Sequence, residues 1–140
     1  MNKILIAVIL FSMTFASFAK NNFFANPKEP SGQLILIPNK TTGSLFPVTL
    51  LGINGKSVTQ SHTAVWLKPG TYNLIFSATV DHNYAGGFGK NVNRSNKKRR
   101  SKNDIDITIE DNKVYYIAYD AHDKNQANWK PIVWKQKEKL

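Results

Sequence analysis

Leu67-Lys68-Pro69-Gly70-Thr71-Tyr72-Asn73-Leu74-Ile75-Phe76-Ser77-Ala78-Thr79-Val80 is the stretch that decides the fold of this 140-residue chain. Pro69 presets φ at about −65° and Gly70 tolerates positive φ, so Lys68-Pro69-Gly70-Thr71 predicts a type II reversal. After it, Tyr72, Leu74, Phe76, Ala78 and Val80 alternate with Asn73, Ile75, Ser77 and Thr79, the pattern of a strand with one core face and one half-polar face. Ahead of the turn, Thr63-Ala64-Val65-Trp66-Leu67 is β-branched and apolar. The two runs are expected to pair antiparallel across the reversal.

Further strands follow on both sides. Gln33-Leu34-Ile35-Leu36-Ile37 is a strand stopped by Pro38, which has no N–H to donate. Pro47-Val48-Thr49-Leu50-Leu51-Gly52-Ile53 is a second strand, closed by Asn54-Gly55, both of which accept positive φ. Residues 47–80 therefore predict a three-stranded meander. Downstream, Ile105, Ile107 and Ile109 alternate with Asp106, Thr108 and Glu110, and Asp111-Asn112 turns the chain into the aromatic strand Lys113-Val114-Tyr115-Tyr116-Ile117-Ala118-Tyr119. In that strand Tyr115 and Tyr119 share a face with Ile117 and are expected to be the more exposed tyrosines. Trp129-Lys130-Pro131-Ile132-Val133-Trp134 is a last strand, set at an edge by Pro131. No amphipathic helix and no internal repeat interrupts the pattern. The expected fold is all-β, a single antiparallel β-sandwich of about seven strands covering residues 33–134.

Residues 1–19 carry Lys3, an apolar run from Ile4 to Phe11 and small residues at Ser17 and Ala19, the form of a secretory signal peptide. Residues 20–32 then predict a flexible leader and residues 135–140 a frayed basic tail. The chain has no cysteine, which excludes disulfides, thiolate metal sites, a cysteine nucleophile and a lipid-anchoring cysteine. These features predict an exported bacterial protein, periplasmic or extracellular, with no transmembrane span in the mature chain. The net charge is +10, and removing Lys3 with the signal peptide leaves +9. Such a balance favours anionic partners.

The order of the Asn54-Gly55-Lys56 turn, the Leu67-Lys68-Pro69-Gly70-Thr71-Tyr72 turn and strand, and Asp111-Asn112-Lys113-Val114-Tyr115-Tyr116 resembles small envelope β-domains of the PEGA and DUF2846 type. The resemblance covers residues 46–119. It implies a prealbumin-like or immunoglobulin-like sandwich of the bacterial envelope, with no catalytic residues to carry over. The chain departs from that pattern in its long basic insertion between Val80 and Asp104 and its tryptophan-bearing last strand.

That insertion is the candidate site. Residues 81–102 form one long loop, and loops above about 12 to 15 residues are usually functional or disordered. Lys90, Arg94, Lys97, Lys98, Arg99, Arg100 and Lys102 lie in it with no acidic residue among them, so seven cations of the mature +9 sit together. Charge-assisted and bidentate arginine contacts suit a phosphate- or carboxylate-bearing partner: lipopolysaccharide, acidic polysaccharide, nucleic acid or an acidic protein surface. Tyr84 and Phe88 flank the cluster as possible stacking residues. Asp104 and Asp106 are the nearest acids that can fold back onto it. The bland alternative is a solvated loop that keeps the protein soluble.

Gly86-Gly87-Phe88-Gly89-Lys90 is no phosphate-binding loop, because Tyr84 stands where the pattern needs glycine and Asn91 where it needs Ser or Thr. His62, His82 and His122 have no histidine partner at metal-ligand spacing, and Ser61 beside His62 lacks a nucleophile-elbow motif. The sequence therefore predicts no enzyme, no metal and no cofactor, but an envelope binding or accessory module. The alternative is an assembly subunit that interacts through an edge strand, such as 129–134, or an exposed aromatic patch.

Overall fold

The computed structural model describes residues 22–26, 28–37, 44–58, 62–80, 90–91 (backbone) and 102–140. Among the described residues the chain forms ten strands. They are β1 (Gly32–Ile35), β2 (Leu45–Phe46), β3 (Val48–Ile53), β4 (Lys56–Ser57), β5 (Ala64–Leu67), β6 (Gly70–Val80), β7 (Lys90–Asn91), β8 (Asp104–Ile109), β9 (Lys113–Asp120) and β10 (Lys130–Glu138). One 3-10 turn, Gln126–Asn128, precedes β10. The fold is all-β, in two sheets. One sheet has the order β10-β9-β1-β5, with β2 also paired to β9; the other has the order β4-β3-β6-β7, with β8 also paired to β6.

Each of the seven expected apolar runs forms a strand. The alternation in β6 sorts as its sequence dictates: Tyr72, Leu74, Phe76, Ala78 and Val80 are buried and the residues between them are half-buried or exposed. They meet Leu34, Val65, Leu67, Tyr115, Ile117 and Tyr119 of the opposite sheet in one hydrophobic cluster. Asn54 and Gly55 take φ of 49° and 75°, and the tight turn they make joins β3 to β4.

The Pro69-Gly70 reversal turns out differently. β5 pairs with β1, whereas β6 pairs with β3 and β8, so the two runs flanking the turn belong to different sheets. Gly70 has φ of +156°, already part of β6, rather than the roughly +80° of a type II turn. The expected hairpin is an arch from one sheet to the other, and the expected meander is broken because β5 leaves it. Local residues specify a reversal; the choice of partner strand belongs to the core. Tyr72 holds the arch, its hydroxyl donating to the Lys68 carbonyl at 2.8 Å. Burial pushes the Tyr72 hydroxyl above its ordinary pKa, consistent with a phenol committed to that bond. Replacing Tyr72 by Phe deletes this bond while keeping the ring, and should cost about 1 kcal/mol, lowering Tm by about 4 °C. Thermal unfolding followed by circular dichroism measures it, and an unchanged Tm would mean the bond carries no weight.

Four further expectations are corrected. The sheets are not purely antiparallel, since β1 runs parallel to β9 through Gln33↔Val114, Leu34↔Tyr115 and Ile35↔Tyr116. Tyr115 and Tyr119 are the inward tyrosines, 3% and 1% exposed, because their face of β9 is the core face. Part of the leader is tied down: Ala25 N–H donates to the Trp66 carbonyl and Lys68 N–H to the Phe23 carbonyl, both at 3.0 Å. Finally, the basic tail is no frayed end, because β10 continues to Glu138 and pairs with β9 as far as Lys113. β10 does lie at a sheet edge, and Pro131 sits in it.

Candidate anion-binding site

The long strand β6 positions the candidate site. β3 runs along one of its edges, and β8 and β7 lie on the other. β8 pairs with β6 from Gly70↔Ile109 to Ile75↔Asp104, and Phe76 N–H then donates to the Asn103 carbonyl at 2.8 Å. Further along, Thr79↔Asn91 and Val80↔Lys90 pair antiparallel. Segment 92–102 thus leaves the edge of β6 opposite Thr79 and returns opposite Phe76, two points about 10 Å apart at the rise of a strand. The backbone at Lys90 is fixed on β6, and Lys102 is exposed beside the return point. Six of the seven candidate cations belong to this excursion. Arg94, Lys97, Lys98, Arg99 and Arg100, like Tyr84 and Phe88, lie outside the described residues.

The two acids nearest in sequence both meet Asn73 of β6. Asn73, facing β8, donates from its side-chain amide to Asp104 at 3.0 Å and to Asp106 at 2.8 Å. The Asn73 backbone N–H in turn donates to the Asn54 side chain at 2.8 Å. The ion pairs among the described residues are Lys113 with Glu110 and His122 with Asp120, and neither Asp104 nor Asp106 takes part in one.

The histidines are split. His82 and Ser61 lie outside the described residues. His122 is exposed and its Nδ1 contacts both Asp120 oxygens at 2.8 Å. Asp123 serves the connection before β10: its carboxylate accepts from Asn125 N–H at 2.7 Å and from Asn128 at 2.8 Å, and its carbonyl accepts from Trp129 Nε1 at 2.7 Å. The Asn128 side-chain bond, helped by the Asn125 backbone, holds the Asp123 carboxyl below its ordinary pKa. Asp123 is thereby a turn organiser. Among the described residues no three His, Asp or Glu side chains gather as a metal ion requires. His62 borders a shallow, open cleft of about 390 Å³ with Phe24, Ala25 and residues 63–66, and no described carboxylate lines it.

The outward face of the β10-β9-β1-β5 sheet gathers residues that the sequence does not show to be together. By register, Ile35, Trp66, Tyr116 and Ile132 share it, and Trp134 packs edge-on against Tyr116 at 5.5 Å from the β10 bulge. Lys135 and Lys137 lie over the Tyr116 ring at 5.4 and 5.8 Å. The spacing of Lys135 and Lys137 after Trp134 is the signal that this tail is a strand.

No family model, no curated protein and no solved structure matches the chain.

Proposed function

We propose that this protein is an exported, non-catalytic binding module of a bacterial envelope, whose basic loop 90–102 engages an anionic polymer or an acidic partner surface. In this reading residues 1–19 direct export, the mature chain is periplasmic or extracellular, and the two sheets pack as a prealbumin-like or immunoglobulin-like sandwich of the PEGA and DUF2846 kind. Two observations support the sandwich. The sheets share one core, and the Tyr72 hydroxyl reaches back to the Lys68 carbonyl across the inter-sheet arch, the bond of a tyrosine corner.

The observation that carries the binding reading is the tethering of segment 92–102. The residues that flank it, Asn91 and Asn103, pair with β6 at Thr79 and Phe76, two points about 10 Å apart, so the basic run is joined to the sheet at both sides. Asp104 and Asp106, the acids nearest in sequence, each accept from the Asn73 side chain. Counterion release then makes affinity steeply salt-dependent. Replacing Lys97, Lys98, Arg99 and Arg100 by serine should abolish retention on a heparin or lipopolysaccharide column at physiological salt. Unchanged retention would sink the reading.

Assembly through a sheet edge remains the second reading, and one observation moves it from β10 to β5. β10 carries Pro131, a bulge after Val133 and lysines at 130, 135 and 137, all devices that discourage edge pairing. β5, Ala64-Val65-Trp66-Leu67, has none of these, and the described part of the leader bonds to it at residues 66–68. Light scattering on a size-exclusion column separates the two readings: a monomer that binds heparin supports the first, an obligate oligomer the second.

A further inference from the structure

The two sheets present very different outer faces. That of the β3-β6-β8 sheet is mostly Thr49, Thr71, Asn73, Ser77, Asp106 and Thr108, an ordinary solvated surface with Leu51 and Ile75 among them. That of the β10-β9-β1-β5 sheet is apolar and aromatic. Ile35, Trp66, Ile132 and Trp134 are half-buried on it, and beyond β1 the alternation continues to Ile37, which is 43% exposed. Tyr116 is buried there under Trp134 and two lysines. β10 adds Lys130, Lys135 and Lys137 to this face, and its one described carboxylate is Asp120, which contacts His122.

We propose that this face docks onto an anionic lipid surface, independently of the basic loop. Three observations favour that occupant. Exposed Lys135 and Lys137 set their ammonium groups over the Tyr116 ring, and cations directly above an apolar surface suit lipid phosphates over acyl chains. Tryptophans flank the face on both edge strands, Trp66 on β5 and Trp134 on β10, and indoles favour the bilayer interface. The Trp134 indole N–H is closed off from water with no acceptor among the described residues, and a headgroup or ester oxygen can supply one at a lipid surface. A second copy is a poor occupant, because two lysine-rimmed faces repel. A hydrophilic polymer needs the lysines but gains nothing from Ile35, Ile37 and Trp66.

The test uses the mature chain with sonicated vesicles of phosphatidylcholine alone or mixed with phosphatidylglycerol. Co-sedimentation and tryptophan fluorescence are the readouts. The mixed vesicles should bind the protein and shift its emission to the blue, since Trp66 and Trp134 meet the surface while Trp129 stays in the core. Replacing exposed Lys135 and Lys137 by serine should lower partitioning about 5-fold for each lysine, roughly 30-fold together. Ile37→Ser should also weaken it, with the fold checked by an unchanged circular dichroism melt. Serine substitution at 97–100 should leave the blue shift in place. No binding to mixed vesicles, equal binding of the lysine variant, or dimerisation blocked by that variant would each overturn the proposal. Loss of vesicle binding in the 97–100 variant would overturn it while leaving the loop reading standing.

Discussion

Phe76→Ala should lower the unfolding free energy by about 3–5 kcal/mol. Phe76 is 1% exposed at the middle of β6, opposite Leu50 of β3, and belongs to the cluster shared by the two sheets. Truncation removes the buried ring and leaves a cavity that the rigid surrounding strands fill only in part. Domains of this size are stable by about 5–15 kcal/mol, so this one change takes a fifth or more of the total. Urea denaturation should show a fallen midpoint at constant m-value. A loss below about 1 kcal/mol would contradict the placement of Phe76 in a close-packed interior. The same residue donates its N–H to Asn103 where the basic segment returns, so the change is also expected to loosen that anchor.

Gly32→Ala should destabilise by about 1–3 kcal/mol, and Gly32→Val should prevent folding. Gly32 opens β1 and lies against Ile109 of the opposite sheet. A Cβ there would collide with the Ile109 side chain, stand 2.8 Å from the Glu110 carbonyl and touch the Tyr115 ring at 3.3 Å. Two of those neighbours are fixed. The Tyr115 hydroxyl accepts the Glu110 N–H at 2.9 Å, and the next turn is pinned by Asn112 N–H on the Ser31 carbonyl at 3.1 Å. Nothing flexible can yield, unlike at Gly55, where a Cβ meets open space. Expression of soluble protein and its urea midpoint report the outcome. A wild-type midpoint for Gly32→Ala would mean the sheets separate at this point without cost.

The strands themselves are legible in the chain because their signals are local. Alternation in Tyr72-Asn73-Leu74-Ile75-Phe76 and in Ile105-Asp106-Ile107-Thr108-Ile109 fixes which side chains enter the core, and Asn54-Gly55 fixes a tight turn. What is not local is misjudged. Lys68-Pro69-Gly70 says that the chain reverses, but whether the next strand returns beside β5 or crosses to the other sheet depends on where Tyr72 and Phe76 find partners. Tyr115, Tyr116 and Tyr119 offer two apolar faces, and periodicity cannot rank them; β6 buries one and the side chains of β10 cover the other. The basic run is plain in the sequence, whereas its tether to Phe76 and Thr79 requires strand pairing that no local signal announces. The lysine and tryptophan face is hidden because it is gathered from four strands, with Lys135 and Lys137 coming from a segment that reads as a tail.

The basic segment, held to the edge of β6, is the proposed anion-binding element. Its direct measurement is the affinity of residues 20–140 for a fluorescent single-stranded oligonucleotide, taken as a generic polyanion, across a salt series. The slope of log K against log salt should be steeper by roughly 3 in the wild type than after serine replacement of Lys97, Lys98, Arg99 and Arg100, at about 0.7 for each phosphate no longer neutralised. Equal slopes for the two proteins would contradict it.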